Sequence, residues 1–276
     1  MSKSSTGKAQ LILFMLIANM TGFTWAEQKP ITWLVYNHSN ISQLGIDIIQ
    51  ENISDRTHIK MDVSIARMNI FLAEKEDIYC TIRSNINQER FRHLTHSKVT
   101  MVEPPAGLIV RSQDSLMFGL RKIPDISLTK LLLQPNLLGA HAFKGFYGNN
   151  ISQLINKYDN LNRATTESLM PSLKMLMHQR VDYILSYPLS FWETARQLPP
   201  EFNNKATFIP LNEDKTHQKR YAVCNNSNAS KQVIDKINNV LATSKYRNTM
   251  TDTIESFLPS ALKKQYRPFN LSMIGR

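Results

Sequence analysis

Hydrophobic positions along this chain follow two rhythms that take turns. Ile31 to Tyr36 is a compact β-type run entered just after Pro30 and left through Asn37-His38-Ser39-Asn40. Leu44, Ile48, Ile49 and Ile53 then recur at helical spacing, the mark of one amphipathic helix. Met61 to Ile65 alternates like a strand, Asn69 to Ala73 reads as a short helix, and Asp77 to Thr81 is the next strand. Strand and helix in alternation predict a mostly parallel sheet with helices on both faces, an α/β fold.

The same reading continues toward the C-terminus. Pro124 to Pro135 is leucine-rich and helical, and Leu137 to Ala142 is a small-residue strand. That strand runs into Lys144-Gly-Phe-Tyr-Gly148, a loop that opens a helix over Asn149 to Tyr158. Ser168 can cap a helix whose first turn holds Pro171 and whose apolar face carries Leu173, Leu176 and Met177. Val181 to Leu185 is a further strand, and 199–220 are polar and loop-rich. Tyr221 to Cys224 is the last strand, followed by a helix with Val233, Ile237, Val240 and Leu241 in phase. The tail from Tyr246 carries one more helical segment, and no internal repeat or low-complexity tract interrupts the chain.

The N-terminus departs from this pattern. Lys3 and Lys8 precede an apolar core from Leu11 to Met20, and Thr24-Trp25-Ala26 offers small residues for cleavage. A secretory signal peptide over 1–26, cleaved after Ala26, is expected, with the mature chain in the periplasm. The apolar core is shorter than the roughly 20 residues that span a bilayer. Its removal takes away two lysines and leaves 31 basic against 22 acidic residues, so the net charge falls from +11 to +9. The basic residues are scattered, with no dense run, aromatic–glycine signature or zinc spacing, which excludes nucleic acid as a partner. About 250 residues exceed one typical domain and suit two. Cys80 and Cys224 both lie in the exported portion, where one disulfide is the expectation and two buried thiols the alternative.

Catalytic signatures are sparse: no His-Glu-x-x-His, Gly-x-Ser-x-Gly or Gly-Lys-Ser/Thr motif occurs, and no cofactor is implied. His93 and His96 stand three apart without an acidic or cysteine companion, so no metal is expected.

Three pieces, taken in order, carry a resemblance. Asp77 to Arg111 holds a strand, a polar loop ending in Glu89-Arg90, a Thr/Ser stretch and a Leu-Ile-Val run. Met177-His-Gln-Arg180-Val-Asp182-Tyr-Ile-Leu is a helix end followed by a strand, and Tyr221-Ala-Val-Cys224 leads into the helix ending at Leu241. Together they resemble the family 3 extracellular solute-binding proteins, the amino-acid-binding branch of the type II periplasmic fold. The two cysteines and the Ile-Thr-Trp start are similar to an uncharacterised branch of exported proteins.

The resemblance implies two lobes, each a mostly parallel sheet flanked by helices, joined by two crossover strands. Lobe one would take 27–110 and 222–276, and lobe two 111–221. The strand holding Cys80 would lie beside that holding Cys224, which makes their disulfide geometrically feasible. A small molecule would be captured in the interlobe cleft by a monomer that serves a membrane transporter or sensor. Arg90 fits the family's two-pronged carboxylate clamp. Arg67 is a second cleft candidate, and Asn85 stands near the family's hydroxyl contact. Two departures bear on the ligand. Tyr187 stands where many amino-acid binders place a carboxylate for the ligand's ammonium, and Asn37-His38-Ser39 replaces the aromatic platform early in lobe one. An ammonium without a counter-charge in a dry cleft carries a large desolvation penalty. The expected ligand is therefore a carboxylate or other anion, or one presenting an aromatic or sugar-like face to Tyr187, Trp192 or Tyr147. The alternatives are a dehydratase-like enzyme on the same scaffold, with Glu89, Asp182 or His141 as acid or base, and a binding fold that has lost its ligand and acts as an accessory or sensor.

Overall fold

The computed structural model describes residues 28–35, 40–84, 93–115, 126–142, 147–158, 164–166, 168–202, 204–213, 215–258 and 260–276. The chain runs through β1 (Ile31–Val35), α1 (Asn40–Asn52), β2 (His58–Asp62), α2 (Ile65–Ala73), β3 (Ile78–Ser84), β4 (Thr95–Glu103) and β5 (Gly107–Arg111). It continues with α3 (Leu128–Leu132), β6 (Gly139–Ala142), α4 (Asn149–Lys157), β7 (Ala164–Thr166), α5 (Leu169–Met177) and β8 (Tyr183–Ser186). Then come α6 (Pro188–Ala195), β9 (Ala206–Pro210), β10 (Gln218–Cys224), α7 (Asn228–Leu241), α8 (Ser244–Phe257) and α9 (Ser260–Met273).

These strands make two five-stranded sheets, ordered β2-β1-β3-β10-β4 and β7-β6-β8-β5-β9. In the first, β2, β1 and β3 pair in parallel and β10 runs antiparallel between β3 and β4. In the second, β7, β6 and β8 are parallel and β5 runs antiparallel between β8 and β9. Each sheet thus has one reversed strand, and each reversed strand has just arrived from the other sheet. The chain crosses once between Glu103 and Gly107 and returns between Pro210 and Gln218. The expected breaks at 110/111 and 221/222 fall inside β5 and β10, each of which pairs within one sheet along its whole length. Gly107, where the chain enters the second sheet, passes so close to β9 that an added Cβ would stand 2.4 Å from the Ile209 carbonyl oxygen. Only glycine fits that approach.

Burial explains the central elements. All five residues of β1 and all four of β8 are buried, as continuous apolar runs in mid-sheet strands require. Ile46, Ile48 and Ile49 turn the α1 face onto the first sheet, in a core with Trp33, Ile82 and Met101. The strand expected over 61–65 lies instead over 58–62. Ser64 Oγ accepts from the Arg67 N–H, so a helix opens at Ile65.

Two other expectations are corrected. The loop-rich 199–220 contain β9, a five-residue run ending in Pro210, and the polar start of β10, and their strand conformation is set by pairing with β5 and with β3 and β4. The single C-terminal segment is two helices, α8 and α9, and they do a particular job. Tyr246 Oη donates to the Thr100 carbonyl, Tyr266 Oη to the Val102 carbonyl, and the Val102 N–H donates to Asn270 Oδ1. The Gly275 N–H donates to the Val99 carbonyl and the Val99 N–H to that of Arg276. The outer edge of β4 is therefore covered by side chains and by the last residues, leaving no open template for another strand there.

Candidate functional site

Strand polarity locates the site. The carboxyl ends of β1, β3 and β4 and the amino end of β10 share one edge of the first sheet. The carboxyl ends of β6, β8 and β9 and the amino end of β5 share one edge of the second. Both crossovers leave from these edges, so the two edges face each other. Open α/β sheets bind ligands outside the carboxyl ends of their strands, at the point where strand order reverses. That reversal falls between β1 and β3 in the first sheet and between β6 and β8 in the second.

The second-sheet switch point carries an aromatic cluster. Tyr187 follows β8 directly, and its ring stacks on Tyr147 with centroids 5.8 Å apart and planes 23° from parallel. His141, on β6, meets the Tyr147 ring edge-on at 6.4 Å. Tyr147 and His141 are buried, and Tyr187 is half-buried. Gly148 holds Tyr147 in place: with φ of 91° it occupies the left-handed region while serving as N-cap of α4. The Tyr147 N–H donates to Ser152 Oγ in the first turn of that helix. The sequence placed Tyr147 and Tyr187 separately, and the fold stacks them.

The other expected residues sit differently. Arg67 is exposed in the first turn of α2, beyond β2, the outermost strand of its sheet. Trp192 is half-buried on α6, with its ring against Phe191 and Phe208, a packing residue. Asn85, Glu89 and Arg90 lie outside the described residues, which resume at His93 after Ser84, the carboxyl end of β3. Asp182 is at the amino end of β8, about 16 Å along the strand from Tyr187 at 3.3 Å per residue. Its Oδ2 accepts from the Leu138 N–H at 2.8 Å and its Oδ1 from Arg111 Nη2 at 3.4 Å. Arg111 also donates to the Leu176 and Val181 carbonyls, so Asp182 is tied into a turn far from the facing edges and cannot act there as an acid or base.

Between the edges stands a guanidinium the sequence did not single out. Arg220, paired with Ser84 across β10 and β3, forms an ion pair with Glu103, the last residue of β4. Its Nε donates to Glu103 Oε2 at 3.0 Å, Nη2 donates to the same oxygen, and Nη1 reaches Ser42 Oγ on α1 at 3.4 Å. Glu103 is 1% exposed, and its Oε1 has no hydrogen-bond partner among the described residues. Burial works against the charge on Arg220. The Glu103 carboxylate, by charge and hydrogen bonds, outweighs it and raises the guanidinium's affinity for its proton, with Tyr187 and Glu193 of the second lobe adding to the effect. Nothing in the spacing of Glu103 and Arg220, 117 residues apart, marks them as partners.

Two facing sheets, two crossovers and one reversed strand per sheet define the two-lobed type II periplasmic-binding fold. Solved structures share it. A Streptococcus pneumoniae amino-acid ABC transporter substrate-binding protein bound to L-arginine matches with a TM-score of 0.59 at 14% identity, covering 83% of this chain and 93% of that one. A histidine kinase sensor domain with similarity to periplasmic binding proteins matches at 0.58 and 11%, covering 83% and 96%. The periplasmic VFT2 domain of Bordetella pertussis BvgS matches at 0.56 and 12%, covering 91% and 98%. The chain matches no protein-family model and no curated protein. At such identities the likeness establishes the fold alone. Among the described residues no helix is long and apolar enough to cross a membrane.

Proposed function

We propose that the protein is an exported solute-binding module that captures a small carboxylate-bearing ligand between its two lobes. The observation that carries this reading is the Tyr147–Tyr187 stack at the switch point of the second sheet, facing the crossover edge of the first. A half-buried aromatic surface there suits a planar or sugar-like ligand face. Arg90, between β3 and β4 in the chain, is the proposed clamp for the ligand's carboxylate, through a two-pronged charge-assisted pair. Asn85 is a proposed neighbouring contact. Tyr187 supplies no counter-charge for an ammonium, so the reading favours a carboxylate or other anion over a free α-amino acid. The signal-like segment over 1–26 supports export to the periplasm, where a membrane transporter or a sensor would receive the ligand. The similar structures include both kinds of protein, among them ones bound to L-arginine. A micromolar ligand corresponds to about −8 kcal/mol, within reach of a few charge-assisted bonds and one aromatic wall.

Isothermal titration of residues 27–276 against carboxylates, amino acids and sugars tests the proposal, with Arg90→Ala in parallel. Saturable binding without turnover, weakened about 10- to 100-fold in Arg90→Ala, is the expected result. Product formation, or binding indifferent to Arg90, would defeat it.

A further inference from the structure

The lobes are joined by more than the two crossovers. Helix α6 belongs to the second lobe: it follows β8 and packs on α5. Its opposite face lies in the first lobe, against α1 and α8. Leu189 is 0% exposed and sits in the first lobe's core cluster with Ile46, Ile49 and Ile254. Trp192 packs against that core and against the second lobe's core at once. At the helix end, Arg196 Nη2 donates to the Ser256 carbonyl at 2.5 Å, and the guanidinium lies 4.5 Å from the centroid of the Phe257 ring. Tyr187, just before α6, and Glu193 within it lie in the electrostatic field of Arg220, on a first-lobe strand.

Two strands alone make a hinge about which lobes swing, because crossover residues absorb the change in φ and ψ. Helix α6 starts beside the first crossover, where Ser186 pairs with Gly107. It carries a third connection outward from there to Arg196 at its far end, which restrains that freedom. Swinging the lobes apart must draw Leu189 out of an apolar core, part Arg196 from Ser256 and Phe257, and split the packing around Trp192. We infer that α6 is a brace that holds the two lobes at one angle, so that the cleft is preset and not opened and closed by its ligand. A preset cleft presents one constant interlobe surface to any membrane partner. The brace is a property of the protein alone, so its test requires no ligand and stands apart from the binding reading.

Spin labels at Ser54→Cys on the first lobe and Gln153→Cys on the second, both exposed positions, report the interlobe distance by pulsed electron paramagnetic resonance. The protein used is residues 27–276 with the disulfide intact. The parent should give one narrow distance distribution. Leu189→Ala, and separately Arg196→Ala with Phe257→Ala, should at least double its width while circular dichroism shows the fold retained. Arg196 is exposed and Phe257 only partly buried, so the second variant disturbs the core less than the first, and Arg196→Ala alone serves as a third variant. A broad or two-peaked distribution in the parent would overturn the brace. So would folded variants as narrow as the parent.

Discussion

Cys80 on β3 stands directly across from Cys224 on β10, their Cα atoms 4.1 Å apart, and the two are joined by a disulfide. Both are fully buried. The bond fastens the strand that leads toward the first crossover to the strand that completes the return, closing a loop of 144 residues. Chain entropy assigns such a closure about 5 kcal/mol, and removal of native bridges commonly costs about 2–5 kcal/mol. Cys80→Ala with Cys224→Ala should lower the unfolding free energy measured by urea denaturation by about 2–5 kcal/mol. Dithiothreitol should leave the native bond intact, because no reductant reaches buried sulfur, and should cut it once urea unfolds the chain.

The Arg220–Glu103 pair should behave as a buried ion pair does. With its other oxygen unpartnered among the described residues, Glu103 depends on Arg220 for compensation of its charge. Arg220→Met should therefore cost about 3–5 kcal/mol, the penalty for stranding one buried charge. The double variant Arg220→Met with Glu103→Leu should recover most of it. Chemical denaturation of the four proteins in a double-mutant cycle checks this. Additive losses would show that the two groups do not compensate one another.

Alkaline stability follows from three buried phenols. Burial first, and then the neighbouring Asp182 charge, pushes Tyr183 up to about 12. Burial likewise raises Tyr246 and Tyr266 well above their usual value of 10. The folded state therefore holds these protons more tightly than the unfolded chain. The associated stability is fully present below pH 10 and is lost as pH climbs from 10 toward the folded values. Absorbance at 295 nm should show a class of tyrosines silent up to about pH 11 that titrate together with unfolding. Tyr183→Phe should shrink that class by one.

Ligand affinity should depend on both sides of the proposed cleft. Loss of a charge-assisted bond costs about 1.5–3 kcal/mol, so Arg90→Ala should weaken binding by about 10- to 100-fold. Tyr187→Phe should leave affinity within a few-fold, and Tyr187→Ala should weaken it by about tenfold through loss of the stacked surface. Titration calorimetry with a ligand found by thermal shift distinguishes these cases. Equal losses for the Phe and Ala variants would assign the phenol oxygen, not the ring, to the ligand.

Much of the first half of each lobe was legible in the chain. β1, β3, β6 and β8 announce themselves as apolar runs, and α1 and α7 as faces of helical period, because their burial is apolar and local. β7 and β9 do not, since runs of three and five residues, the second ending in proline, become strands only when a neighbour offers its edge. The C-terminal tail read as one helical segment instead of α8 and α9 for a related reason. Thr251, Glu255 and Asn270 are buried there by hydrogen bonds and an ion pair, for which hydrophobic periodicity has no sign.

The amino-acid order alone determined the apolar strands β1, β3 and β8 and the helices α1 and α7, and the order of its motifs resembled a two-lobed binder. Tertiary structure alone decided that Arg220 meets Glu103 across 117 residues and that Tyr147 stacks on Tyr187. It also decided that α6 is shared between two cores. The physical reason is common to all three. Local patterns record how a side chain meets its own helix or strand, whereas these contacts exist only because the chain crosses between sheets and returns, bringing edges together that no spacing in the sequence connects.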